Sequence, residues 1–83
     1  MTVIERVIEV VRRVVEPSRR EQVHAGALLF EEKLLDSFGV INLVGELEAE
    51  FGIAVPTEEL TVVNFGVVED IAVLVERSLA ARA

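Results

Sequence analysis

Ser37 is the side chain best placed to do chemistry. It stands between Asp36 and Phe38, so a hydroxyl, a carboxylate and a large aromatic share one helical turn. Such a hydroxyl can be a nucleophile when a base activates it, or simply a helix cap. His24 is the lone histidine, and with Ser37 and Asp70 it supplies the residue types of a hydrolase triad. The Gly-x-Ser-x-Gly elbow is missing, however, and 83 residues leave little room for a substrate pocket. His24 therefore reads as a surface loop residue, and neither catalysis nor a metal site is expected. The chain has no cysteine, which removes a thiol nucleophile, a thiolate metal site and a disulfide framework. A thioester could be carried only on a thiol brought in by a cofactor.

The element that must position Ser37 is a helix running to Phe51. With Leu47 as reference and 100° per residue, Val40, Leu43, Val44 and Phe51 fall within about 60° of it. That stripe is for burial. Phe38, Asn42, Gly45 and Ala49 lie on the far side, and Ile41 comes up one turn after Ser37. A large aromatic that the core does not claim suggests a face made for a partner.

Leu35-Asp36-Ser37-Phe38, followed by a helix ending Glu48-Ala49-Glu50-Phe51-Gly52-Ile53, resembles the acyl carrier proteins. That family's pattern is Asp-Ser-Leu, a helix, then Glu-Phe-Gly-Ile and a proline. Here Val55-Pro56 supplies the proline, and Asn64-Phe65-Gly66 opens the last helix in a similar way. The resemblance spans roughly Leu28 to Leu79. Its lead-in, Leu34 to Gly39, is most similar to the stand-alone D-alanyl and aminoacyl carriers. The resemblance implies that Ser37 receives a 4'-phosphopantetheine arm from coenzyme A, whose thiol carries an acyl or aminoacyl thioester. It also implies a phosphopantetheinyl transferase, a loading ligase and downstream synthases or transferases as partners, with Asp36 helping the transferase bind or hold its metal. Threonine would crowd the attack and alanine has no oxygen, so serine is the residue this chemistry needs. The base and magnesium belong to the transferase.

Composition narrows the alternatives. Eighty-three residues make one small domain over 1–83. Residues 1–20 hold five arginines against three glutamates, whereas residues 21–83 hold three basic against twelve acidic side chains, for a net charge of −7. An acidic surface with four phenylalanines as its only aromatics argues against nucleic acid and for basic protein partners. No run approaches the roughly 20 apolar residues of a membrane span, and the N-terminus lacks a signal-peptide pattern. A monomeric cytoplasmic protein is expected.

Taken in order, the spacing predicts an all-α four-helix bundle: three longer helices, a short third, and a long crossover after the first. The first helix covers about 3–16, with a Thr2/Glu5 capping box and a stop at Pro17. The crossover runs from Ser18 to Leu35, anchored by Leu28-Leu29-Phe30. Lys33 stands where the family often has glycine, so the turn before Leu34 is expected to differ. The second helix covers 37–51 and ends on Gly52 in a left-handed C′ position. Thr57, after Pro56, caps a third helix over 57–63, and the fourth covers 67–80 before a fraying tail. Arg12, Arg13, Arg19 and Arg20 are expected to offset neighbouring acids.

Phe38 and Ile41 are the expected recognition residues. The family's acids in the first half of the second helix are replaced here by Gly39 and Asn42, so electrostatic recognition should lean on Glu48, Glu58, Glu59 and Glu69. The resemblance further implies shelter for a carried chain beside Val44, Ile53 and Ile71. The rival reading is an unmodified helical adaptor that binds through Phe38 and Ile41 and has no need of Ser37.

Overall fold

A computed structural model describes residues 2–82. Four α-helices form the bundle: α1 Val3–Val14, α2 Ser37–Phe51, α3 Val62–Phe65 and α4 Val68–Arg82. Helix α1 packs on both α2 and α4, which also touch each other, while α3 packs on α4. The all-α bundle expected from the spacing is therefore the fold observed.

Local chemistry explains each boundary. The Thr2 hydroxyl accepts from the Glu5 N–H at 3.2 Å and Glu5 returns a bond to the Thr2 N–H at 3.0 Å, so the capping box is real. Glu5 is held below the ordinary glutamate pKa chiefly by that backbone bond. Helix α1 ends at Val14, two residues early, because Val15 turns extended to bury its side chain. Pro17 does not merely stop α1: it opens a 3-10 helix, Pro17–Gln22, where its fixed φ fits the first turn. Helix α2 ends at Gly52, left-handed at φ 64°, and Ile53 folds back into the core.

The third helix is displaced from its expected place. Thr57–Glu59 closes as a 3-10 turn, Leu60 breaks it at φ −81°, ψ 71°, and α3 starts only after Thr61. The Thr61 hydroxyl accepts from the Asn64 N–H at 3.3 Å. Two threonines compete as caps here, and the later one wins. Asn64 then ties the two pieces together, donating through Nδ2 to the Glu59 carbonyl at 2.9 Å and carboxylate at 2.8 Å.

The core gathers Val7, Val10 and Val11 of α1, Leu43, Leu47 and Phe51 of α2, Phe65 of α3, and Val68, Ile71 and Val75 of α4. The crossover anchors through Val23, Ala27 and Leu29, not the expected Leu28-Leu29-Phe30: Leu28 is exposed and Phe30 only half-buried. Its backbone is bonded as well, Leu29 N–H to Gly66 carbonyl at 2.8 Å and Glu69 N–H to Ala25 carbonyl at 3.0 Å, around an isolated antiparallel Leu28–Val67 bridge.

The arginines correct a second expectation. Only Arg13 among the four meets acids, at Glu46 (3.7 Å) and Glu50 (3.3 Å). Arg12 donates to the Val23 carbonyl at 2.9 Å, Arg20 to the Arg12 carbonyl at 2.7 Å, and Arg19 to the Glu32 and Lys33 carbonyls at 2.6 Å each. These bonds fasten the crossover to α1 and to itself through backbone carbonyls. Arg82 similarly reaches the Phe51 carbonyl at 3.1 Å, and α4 stays helical through Ala80 to Arg82 instead of fraying. Ala83 lies outside the described residues.

Candidate functional site

The segment ahead of α2 is fixed before the helix begins. The Leu34 and Leu35 N–H groups both donate to the Leu29 carbonyl, at 2.9 and 3.1 Å, and both side chains are buried. Lys33 sits at φ 56°, the left-handed backbone that glycine adopts without steric cost. The turn is thus made with lysine in glycine's conformation, and the paired bonds from Arg19 hold its carbonyls.

Asp36 is the cap of α2. Its backbone is extended, and Oδ1 accepts from the Gly39 N–H at 2.7 Å. Because Asp36 takes this duty, Ser37 does not: it is the first residue inside the helix and its side chain is exposed. The hydroxyl stands uncommitted at the positive end of a 15-residue helix, where leading N–H groups lack intrahelical carbonyls. Gly39 belongs to this arrangement, since a Cβ there would come within 2.9 Å of the buried Leu35 Cδ2.

Around Ser37 the surface is apolar. Phe38 is 73% exposed and Ile41 64%, and across from them on α3 Val62 is 70% and Val63 79% exposed. Between α2 and α3 a recess of about 270 Å³ opens beside Ser37, lined by Val40, Ile41, Leu60, Val62 and Phe65 among others. Phe30 separates it from a second recess of about 370 Å³ lined by Val14, Lys33, Leu34, Leu35, Asp36 and Gly39. A larger hollow, about 420 Å³, lies against Pro56, Leu74, Arg77 and Arg82 and shares no residue with either. Of the side chains expected to shelter a carried chain, Ile53 and Ile71 are packed into the core and Val44 is half-buried; none lines the recess beside Ser37.

The expected recognition residues divide into two groups. Phe38 and Ile41 flank Ser37, whereas the acids stand apart from it. Glu48 is half-buried and accepts from the Val55 N–H at 2.9 Å. Glu59 is taken up by Asn64. Glu58 and Glu69 are exposed, the first in the 3-10 turn and the second in the first turn of α4. Glu50 meets Arg6 and Arg13 at 3.3 Å each, and the hydrogen bond from Arg6, then that from Arg13, hold its carboxyl below the ordinary glutamate pKa. His24 is exposed and its Nδ1 accepts from the Gly26 N–H at 3.2 Å. Among the described residues no group of three His, Cys, Asp or Glu side chains could hold a metal ion. Sequence reasoning missed Arg19 as a support of this site. Its acceptors are carbonyls, which no residue type announces.

A family model described as the phosphopantetheine attachment site matches residues 5–75, a span that covers the described bundle except its two ends. No curated protein matches the chain. Members of this family are non-catalytic carriers that hold 4'-phosphopantetheine covalently and meet phosphopantetheinyl transferases and biosynthetic enzymes. An uncommitted serine hydroxyl at a helix N-terminus suits such a group, whose phosphodiester is an anion. The chain belongs to the phosphopantetheine-attachment family, the acyl carrier proteins.

Proposed function

We propose that Ser37 is the attachment point and that the protein presents an acyl or aminoacyl thioester to the enzymes of a biosynthetic pathway. The observation that carries this reading is the division of labour at the head of α2: Asp36 caps the helix through Oδ1, leaving the adjacent Ser37 exposed and free to react. In the transfer, Ser37 Oγ bonds to the phosphorus of coenzyme A that bears the pantetheine. The pyrophosphate P–O bond breaks, the nucleotide leaves, and the serine proton passes to a base of the transferase. When bound, the arm supplies the thiol that the cysteine-free chain lacks. The chain's own residues do the rest. Leu34 and Leu35 anchor the segment, Asp36 sets the helix start and meets the transferase, and Phe38 and Ile41 offer the surface on which partners sit. Glu58 and Glu69 form an acidic margin further away. No described helix is long and apolar enough to cross a membrane; a cytoplasmic site of action follows from coenzyme A as donor.

The cargo, a fatty or polyketide acyl group or an amino acid, is told apart by the neighbouring enzymes in the genome, a ketosynthase for the first and an adenylating ligase for the second. A second reading, an unmodified adaptor, is favoured by the exposure of Phe38 and Ile41. Intact mass after incubation with coenzyme A, magnesium and a broad-specificity phosphopantetheinyl transferase separates the two. Wild type is expected to gain one phosphopantetheine and Ser37→Ala none. Unmodified wild type with several transferases would leave the adaptor.

A further inference from the structure

Lys33 bends the backbone at a cost. It holds φ 56° and is the only residue other than glycine with a positive φ among those described, a conformation in which its Cβ is crowded and glycine would not be. Such strain persists where the surroundings fix it, and its usual place is a functional site. Here Arg19 fixes it, donating to the Glu32 and Lys33 carbonyls at 2.6 Å each. The side chain that the turn keeps is a cation, and cations are scarce. Between Arg20 and Arg77 the chain has no other lysine or arginine. Lys33 is exposed and enters none of the ion pairs among the described residues. It lines the recess of about 370 Å³ together with Asp36 and Gly39, which bracket Ser37 and Phe38.

Attachment at Ser37 places the negative charge of a phosphodiester next to the Asp36 carboxylate, and two anions on adjacent residues repel each other. We infer that Lys33 is the counter-ion of that phosphodiester, its ammonium meeting the diester at the Asp36–Gly39 edge of the recess and holding the root of the arm on the Val14 side of Phe30. The inference deepens the carrier reading and rests on it. Lysine suits the task, because a compact charge on a flexible stem reaches an anion that arrives after folding. The other charges of the turn leave it this role. Arg19 is committed to the two carbonyls and to Gln22 Oε1 at 3.1 Å. Glu31 and Glu32 are acids, the second accepting from the Leu28 N–H at 3.0 Å.

The test compares the unmodified and the phosphopantetheinylated full chain of wild type, Lys33→Gln and Lys33→Arg, with intact mass confirming one arm on each modified sample. Its readout is the change in Tm on modification, so that an effect of the substitution common to both forms cancels. At about 50 mM sodium chloride that change should be about 1–6 °C more favourable in wild type than in Lys33→Gln, the range for one exposed ion pair in a chain of this length. Lys33→Arg should retain it. At about 1 M, where the Debye length falls to about 3 Å, the advantage should drop by about half or more. The phosphorus resonance of the arm should differ between wild type and Lys33→Gln at low salt and converge at high salt. Equal Tm changes in wild type and Lys33→Gln, or an advantage that salt leaves unmoved, overturns the inference while the mass gain upholds the carrier reading. Slower modification of Lys33→Gln with an unaltered Tm response would assign the lysine to the transferase contact, and would also overturn it. A wild type that takes up no arm from several transferases overturns both.

Discussion

Gly45→Ala should stabilise the protein, and its size can be worked out from the geometry. Gly45 lies inside α2, exposed, and a Cβ added there would meet nothing within 4 Å. The substitution therefore costs no packing and removes a glycine from a helix interior, worth about 0.5–1 kcal/mol, partly by narrowing the unfolded ensemble. At roughly 2.1 cal/mol/K per residue, unfolding a chain of this length has an entropy of about 0.17 kcal/mol/K, so Tm should rise by about 3–6 °C. Thermal unfolding followed by circular dichroism measures this, and urea denaturation should show a higher midpoint at unchanged slope. Gly39→Ala provides the contrast within the same helix. Its Cβ would press to 2.9 Å on Leu35 Cδ2, so the helix-propensity gain should be cancelled and Tm should not rise. A lowered Tm for Gly45→Ala, or equal gains at both sites, would refute the reasoning. Gly45 also shares the face of Phe38 on the helical wheel. Unchanged Ser37 modification in Gly45→Ala would make the glycine a matter of stability alone.

Lys33→Gly should raise stability by up to about 1 kcal/mol, because lysine pays for the left-handed backbone at φ 56° and glycine does not; urea denaturation would show it. Arg19→Ala removes both bonds to the Glu32 and Lys33 carbonyls, and amide exchange should quicken at Leu34 and Leu35 while the α1 amides stay protected. Glu50 has a folded pKa below its unfolded one, so its contribution to stability is present above the ordinary glutamate pKa of about 4.3 and is lost as pH falls through the lower folded value. The Tm difference between wild type and Glu50→Gln should accordingly be seen at pH 7 and vanish in acid; a difference that persists in acid would assign it to packing.

The parts of the fold written in local chemistry were legible from the sequence. The Thr2/Glu5 box and the Gly52 terminus each depend on residues within four positions, and their residue types announce the geometry they adopt. The apolar period placed α2 at Ser37–Phe51 as observed. The third helix was misread because Thr57 and Thr61 offer the same cap, and the choice is made by Leu60 and by Asn64 reaching back to Glu59. The arginines were misread for a related reason. A guanidinium in a sequence suggests a carboxylate partner, yet here Arg12 and Arg19 bond carbonyls exposed by an irregular crossover, and Arg20 bonds a carbonyl near the end of α1. Glu48 illustrates the same limit, since the Val55 N–H that it accepts is invisible as a residue type.

The Leu28–Val67 bridge has a mechanical consequence. Together with the bonds from Leu29 to Gly66 and from Glu69 to Ala25, it clamps the crossover to the start of α4, so the side of the recess beside Ser37 that Phe30 lines is mounted on a braced frame. The wall is built otherwise. Thr57 to Phe65 is tied within itself by Asn64, and its helix α3 packs on α4. An occupant of the recess would thus press on two supports built differently, the crossover at Phe30 and the Thr57–Phe65 segment opposite α2.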